Sequence, residues 1–360
     1  MPAQECGAFD VRAFGAAGDG RSDDTAAVQK AIDAAGEVRG EVRFPAGVYR
    51  VSTLRARPHV VLKGCATWTY NAASGSEIRL GKAGVQCLID MSGATGCVLD
   101  GLYLNGLGAD GQPLGQDVHG VFLRRPDEQR EDSIRVERST VRGFSGDGIR
   151  LEKVWVFTVR HSMVAYNHGN GIYVDGWDGF VLDTWLSANR QAGYGAFRQS
   201  ASVTMTGNRI EWNHSGGIEV HGGDHYNVTG NFIDRSGGPG IWLRRRDGAV
   251  CRQFAMTGNV IRRSGAFFRE LPKYADSQVW IEGGCGVVLT GNTFSVGQDD
   301  WGKGRWSPAK GIVYESLTNS VIRDNALHEG ALDDLLVDLG RHGEGVVVEG
   351  NVGSLFPRPE

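Results

Sequence analysis

The sequence predicts an all-β solenoid, a chain coiled into stacked turns of short strands, and three observations predict it. One phrase occurs twice in residues 203–246: Thr206-Gly207-Asn208 with Gly217-Ile218-Glu219-Val220, then Thr229-Gly230-Asn231 with Gly240-Ile241-Trp242-Leu243, each half returning after 23 residues. A unit that recurs at so short a period and cannot bury its own apolar face must stack on copies of itself. Glycine supplies 54 of 360 residues and proline only 10, a composition of many tight turns rather than of a disordered linker. Short runs rich in β-branched residues, among them EVRFPAGVYRVS, SEIRLG and VQCLIDM, are broken by glycine, which is the pattern of strands.

The chain opens with a strand, AFDVRAF, and a loop, GAAGDGRSDD, before TAAVQKAIDAAG, where Ala27, Val28, Ala31, Ile32 and Ala35 recur at helical spacing. Ser22 or Asp23 is the expected N-cap and Gly36 the expected stop. A single amphipathic helix over 24–35 is expected to cover an exposed end of the stack, because terminal repeats need a cap.

From residue 118 the period is tracked by strand-opening residues: Val121, Ile149, Ile172, Tyr194, Ile218, Ile241, Val279, Ile312 and Leu335. A second marker, Ser139, Ser162, Thr184, Asn208, Asn231, Asn259, Asn292, Asn325 and Asn351, keeps the same step of about 23 residues with matching insertions. Small polar side chains stacked at a corner hydrogen-bond to one another and to the turn backbone, so this row is expected to be scaffold. Extra residues at 106–118, 265–277 and 297–310 each precede a strand-opening position. They are expected to overhang one side, where solenoids build binding surfaces.

The stretch from Phe9 to Val51, with DVRAFGAAGDGRSDDTAAVQKAIDAA followed by VRFPAGVYRVS, resembles the N-terminal signature of the pectate-lyase-like superfamily of right-handed β-helices. The resemblance implies one right-handed parallel β-helix domain of about ten turns over 1–353, with a capping segment at about 8–50 and a tail at 354–360. That superfamily includes polygalacturonases, lyases, fructotransferases and phage tailspikes, and fold does not fix function.

Strand side chains alternate, so with Ile218 and Val220 inward, Glu219 and His221 face outward. The same register puts Tyr173, Glu219, Trp242 and Trp280 in one outward row and Asp175, His221, Arg244 and Glu282 in the next. Exposed aromatics beside carboxylates, a His and an Arg point to a sugar-binding groove. Tyr173, Trp242, Arg244 and Trp280 are its expected binding residues, with Asp247, Asp300 and Trp301 from adjoining loops. The alternative, in which the loops at 265–277 and 297–310 cover the aromatics, stays open.

Hydrolysis or transfer of a glycosidic bond needs an acid for the leaving oxygen and a second carboxylate, at ~6.5–9.5 Å for inversion or ~5–5.5 Å for retention. Glu219 with Glu282 or Asp175 is the expected catalytic pair, His221 and Arg244 orient the sugar, and no obligatory cofactor or metal is expected. Polygalacturonases of the superfamily carry Asn-Thr-Asp, Asp-Asp, His-Gly and Arg-Ile-Lys motifs in that order. Here His221-Gly222 precedes Asp299-Asp300 and the other two are missing, so that mechanism does not carry over. A polysaccharide lyase, with Arg244 as base and calcium on Asp175 and Glu219, is the alternative enzyme. The expected enzyme is therefore a glycoside hydrolase or an intramolecular transglycosylase resembling the inulin fructotransferases, and a tailspike-like sugar-binding rod without catalysis is the remaining alternative.

The net charge of −4 and pI near 6.2 give no basic footprint for nucleic acid. No run approaches the ~18 apolar residues of a membrane span, and MPAQECGAFD lacks signal-peptide regions, so, unless a leader has been removed, a cytoplasmic protein with an oligo- or polysaccharide substrate is expected. Monomer and homotrimer both fit. The six cysteines form no CxxC pair and read as buried thiols.

Overall fold

The recurring Gly-Asn pair marks a corner. Gly207, Gly230, Gly258, Gly291 and Gly350 take φ of 63–69°, the left-handed region that glycine enters at no steric cost, and the Asn that follows turns into the stack. Asn208, Asn231, Asn259, Asn292, Asn325 and Asn351 form a ladder. The Oδ1 of each later member accepts from the backbone N–H and the Nδ2 of the one before, at 2.8–3.2 Å. Ser139 and Thr184 continue the pattern by donating their backbone N–H to Ser162 Oγ and Asn208 Oδ1. The expected scaffold row is therefore present as scaffold. A second ladder was not anticipated: Asn189 donates to Asn213 Oδ1 and Ser236 to Ser264 Oγ, at the next corner of each coil.

The computed structural model describes residues 7–70, 73–128, 131–266, 272–297 and 307–357, which fall into two compact units, Met1–Phe180 and Val181–Glu360. In each unit the coils contribute three rows of parallel strands. The first row of the C-terminal unit runs Tyr194–Ala196, Ile218–His221, Ile241–Arg244, Ser277–Ile281, Lys310–Tyr314 and Asp334–Asp338. Its second row begins with Ser200–Thr206, Asp224–Thr229 and Cys251–Thr257, and its third with Trp185–Ser187, Arg209–Glu211 and Phe232–Asp234. In the N-terminal unit the first row is Leu54–Arg55, Cys87–Asp90, His119–Arg124 and the start of Ile149–Arg160. This is a parallel β-helix, and among the described residues it is all-β apart from one α-helix and one short 3-10 turn.

The inward positions are apolar and sealed. Ile218, Ile241, Val279 and Ile312 stack in register, as do Val220, Leu243 and Ile281, all without solvent exposure. A fully buried Val, Leu or Ile contributes ~1.5–3 kcal/mol, so these columns and the two polar ladders hold coil to coil. The register read from sequence is right until the last coil. There Ile312 pairs with Leu336 and Val313 with Val337, one residue beyond the expected Leu335, because no Gly-Ile phrase survives there to mark the strand.

The helix α1 spans Thr25–Val38 and buries Val28, Ala31, Ile32 and Ala35 against the strands Ala8–Asp10, Glu41–Arg43 and Leu54–Arg55. Its ends differ from expectation. Asp24 is the N-cap residue but spends its carboxylate on the N–H groups of Ala17 and Gly18. Gly36 does not stop the helix: the Arg57 side chain lies where a Cβ would stand, and the chain turns at Arg39, φ 56°. Nor does pairing end at Gly353, since Ser354 and Phe356 donate to Leu327 and Ala331 carbonyls.

Candidate functional site

On the first row of the C-terminal unit, alternation delivers Glu219 opposite Trp242 and His221 opposite Arg244, as the sequence predicted. What it delivers is not an open aromatic groove. Trp242 is 1% and Trp280 7% exposed; their rings stack at 5.4 Å. Val313, Ala275 and Tyr274 pack against them. Tyr274 and Ala275, just before the strand Ser277–Ile281, cover these indoles, so Trp242 and Trp280 are core and the expectation of an exposed platform is corrected.

Glu219 is also nearly closed off, at 4% exposure. Its Oε2 accepts from Ser215 Oγ at 2.6 Å, and its Oε1 from Arg244 Nη1 at 3.2 Å and from His221 Nε2 at 2.9 Å. Burial pushes this carboxyl up, but the bonds from His221 and Ser215 and the charge of Arg244 outweigh it and hold Glu219 below the usual carboxylate value. Because an ionised Glu219 only accepts, His221 donates to it from Nε2, and in the neutral imidazole the lone pair then stands on Nδ1. The imidazole is partly open, rests on Phe197 at 4.9 Å between ring centres, and is thereby fixed in direction and tautomer.

Arg244 binds the group together. Its Nε donates to Glu282 Oε1 and its Nη1 to Glu219 Oε1, each at 3.2 Å, while the guanidinium lies 4.2 Å from the Trp242 ring centre. Glu282 takes further donors from Trp242 Nε1 and the Arg245 N–H. The two expected catalytic carboxylates thus do meet, across one guanidinium, but as acceptors with most of their lone pairs engaged.

The other expected residues are placed elsewhere. Tyr173 and Asp175 lie in the strand Ile172–Leu182, where Tyr173 is buried beneath the Arg150 guanidinium at 4.2 Å. Asp247 sits in an exposed turn beside Arg246. Asp300 and Trp301 lie outside the described residues. Among the described residues no three His, Cys, Asp or Glu side chains converge as metal ligands, and no helix is long and apolar enough to cross a membrane.

One charged network of the N-terminal unit escaped the sequence reading. Asp147 accepts from Arg150 Nη1 at 2.9 Å and from Asn170, Arg150 Nε donates to Glu152, and Arg124 closes on Glu152. Arg124 and Glu152 are register partners on neighbouring strands. Asp147 sits at a corner, where a two-residue period predicts nothing.

Coils of parallel strands, corner ladders and a capping helix define the class of protein: a pectate-lyase-like right-handed β-helix protein. A family model for a right-handed β-helix region matches residues 147–272, and one described as rhamnogalacturonase A/epimerase, pectate lyase-like, matches residues 8–86. The chain is 29% identical over 240 residues, 60% of its length, to mannuronan C5-epimerase AlgE1 of Azotobacter vinelandii. It is 28% identical over 280 residues, 72% of its length, to AlgE2 of the same organism. It spans only 16% and 24% of the length of those two relatives. Among solved structures, the A-module of the AlgE6 mannuronan C-5 epimerase of Azotobacter vinelandii superposes with a TM-score of 0.70 at 19% identity, covering 96% of this chain and 99% of that one. That likeness is one of fold.

Proposed function

We propose that this chain is a carbohydrate-modifying enzyme that acts on a uronate polysaccharide by removing the proton from C5, the carbon next to the carboxylate. The observation that carries this reading is the sequence similarity to mannuronan C5-epimerases, spread over 60–72% of the chain. The geometry around His221 supports it. An imidazole with its lone pair on Nδ1, oriented by an ionised carboxylate and partly open to solvent, is built as a general base. Arg244 has Nε and Nη1 engaged and retains Nη2 for a substrate carboxylate.

In the step, the C5–H bond breaks, the proton passes to His221 Nδ1, and the electron pair moves into the uronate carboxylate, whose added charge Arg244 offsets. A proton delivered by water to the opposite face of C5 inverts the centre; alternatively the electron pair forms the C4–C5 double bond, the bond from C4 to its oxygen breaks, that oxygen leaves with the proton from the His221 imidazolium, and the chain is cleaved. Arg244 itself is no base, since a guanidinium stays protonated in proteins. Hydrolysis through Glu219 and Glu282 is less well supported: a general acid must hold a proton, and Glu219 is kept ionised.

The test is product analysis on mannuronan. Proton NMR reads C5 inversion and ultraviolet absorbance reads unsaturated ends, with and without chelator to detect calcium dependence. C5-inverted residues or unsaturated ends are expected. New reducing ends without either product would overturn the proposal in favour of hydrolysis.

A further inference from the structure

The N-terminal unit carries a cleft that the reaction above does not use. It has a volume of about 810 Å³ and lies between α1, through Thr25 and Gln29, and the first row of strands, through Arg55, Gln86 and Asp90. A second hollow of about 390 Å³, reaching Arg124 and Lys153, shares Gln86 and Asp90 with it. Gln86 and Asp90 thus stand between the two hollows and line both. Cavities of this size suit a small-molecule or oligomer segment.

The walls are fixed and the polar groups at the junction are not spent. Gln29 clamps the edge of the strand Leu54–Arg55, accepting from the Arg55 N–H at 2.9 Å and donating to its carbonyl at 3.0 Å. Thr53 Oγ1 ties that strand to the Cys87 carbonyl at 2.6 Å. In contrast, the Arg55 guanidinium and the Gln86 amide are exposed, and Asp90 commits only Oδ1, to the Ser92 N–H. A cation and a carboxylate oxygen from the sheet and an amide from the bend before it therefore line the cleft, with donors and acceptors in the mixture that sugar hydroxyls and a uronate carboxylate require.

We infer that this cleft is a saccharide-binding site, which holds a stretch of the uronate chain through Arg55, Gln86 and Asp90 and takes no part in proton transfer. The substrate class rests on the function proposed above. Holding remote parts of a polymer lowers KM and leaves the reacting step to other residues.

Calorimetric titration with two probes, a mannuronate octamer and a neutral glucan octamer, separates the outcomes. The proteins are the full chain carrying His221→Ala and the same chain with Arg55→Ala and Gln86→Ala added, both checked for unchanged melting. The mannuronate octamer is expected to bind the first and to bind the second about tenfold more weakly, the loss for two removed hydrogen-bonding groups. In chains that retain His221, Arg55→Ala with Gln86→Ala should raise KM by a similar factor at constant kcat. Equal binding to both proteins, or no octamer bound by either, overturns the site. A drop in kcat at constant KM also overturns it, by making the cleft part of the reaction. Loss of affinity for the neutral octamer alone leaves the site standing and removes the uronate reading.

Discussion

Replacing Asn231 by alanine tests the corner ladder within its buried stretch. Asn231 is 1% exposed. Its Oδ1 accepts from the Asn208 N–H at 3.1 Å and from Asn208 Nδ2 at 2.9 Å, and its Nδ2 donates to the Met205 carbonyl and Asn259 Oδ1, each at 3.0 Å. Two neighbours are partly protected: Asn208 Nδ2 keeps the Val181 carbonyl and Asn259 Oδ1 keeps the backbone N–H of residue 231. The Asn208 N–H keeps nothing. An orphaned buried donor costs ~1–3 kcal/mol and each further lost bond ~0.5–1.5 kcal/mol, so Asn231→Ala is expected to lose about 3–5 kcal/mol.

Asn351, half-buried at the end of the ladder, makes three of these four bonds and has no next asparagine to donate to. Water replaces them there, and Asn351→Ala should cost about 1 kcal/mol. Urea unfolding measures both, and hydrogen exchange of the Asn208 amide reads the orphaned donor directly. A variant at Asn231 within 1 kcal/mol of the parent, or an equal loss at both positions, would refute the reasoning.

Trp242→Ala removes a sealed side chain from its stack on Trp280 and should cost about 3–5 kcal/mol in denaturant unfolding; a solvent-facing sugar platform would lose little stability. Asp132 is buried, with Oδ2 accepting the Trp155 N–H at 2.8 Å, and burial lifts its carboxyl from 3.8 to about 6. Its ionisation in the folded state is unfavourable, a cost that sets in above pH 3.8 and is complete above about 6. Asp132→Asn, which keeps the acceptor, should therefore be more stable than the parent above pH 6 by at most about 3 kcal/mol, with the gap closing below pH 4. Glu219 has the opposite sign: its depressed pKa adds stability that is complete above the unfolded value near 4.5 and lost as pH falls through the folded one. Melting curves of Glu219→Gln should accordingly fall less steeply with acid than those of the parent, and identical slopes would contradict this.

The fold was legible because its two strongest signals are local. A glycine at a left-handed corner followed by a ladder asparagine is written into the chain at five successive or near-successive coils, and Ile218 and Ile241 announce the next strand. Where the corner residue is not glycine, as at Ala188 and Trp212 before Asn189 and Asn213, the second ladder left no such mark. Alternation correctly put Glu219, His221, Trp242 and Arg244 on one side of the sheet. It was silent on what lies above them, because coverage of Trp242 and Trp280 by Tyr274 joins residues brought together only by the fold. The same holds for the pairing of Glu219 with Ser215 and for the depression beside α1, whose polar groups come from separate coils.

The most direct measurement is deuterium exchange at C5 of mannuronan in heavy water, for the parent chain and for His221→Ala. The parent is expected to place deuterium at C5, and folded His221→Ala to do so at least about 100-fold more slowly, the scale of a lost general base. Exchange that persists unchanged in His221→Ala, or chain cleavage by the parent without any C5 label, would contradict proton abstraction by His221.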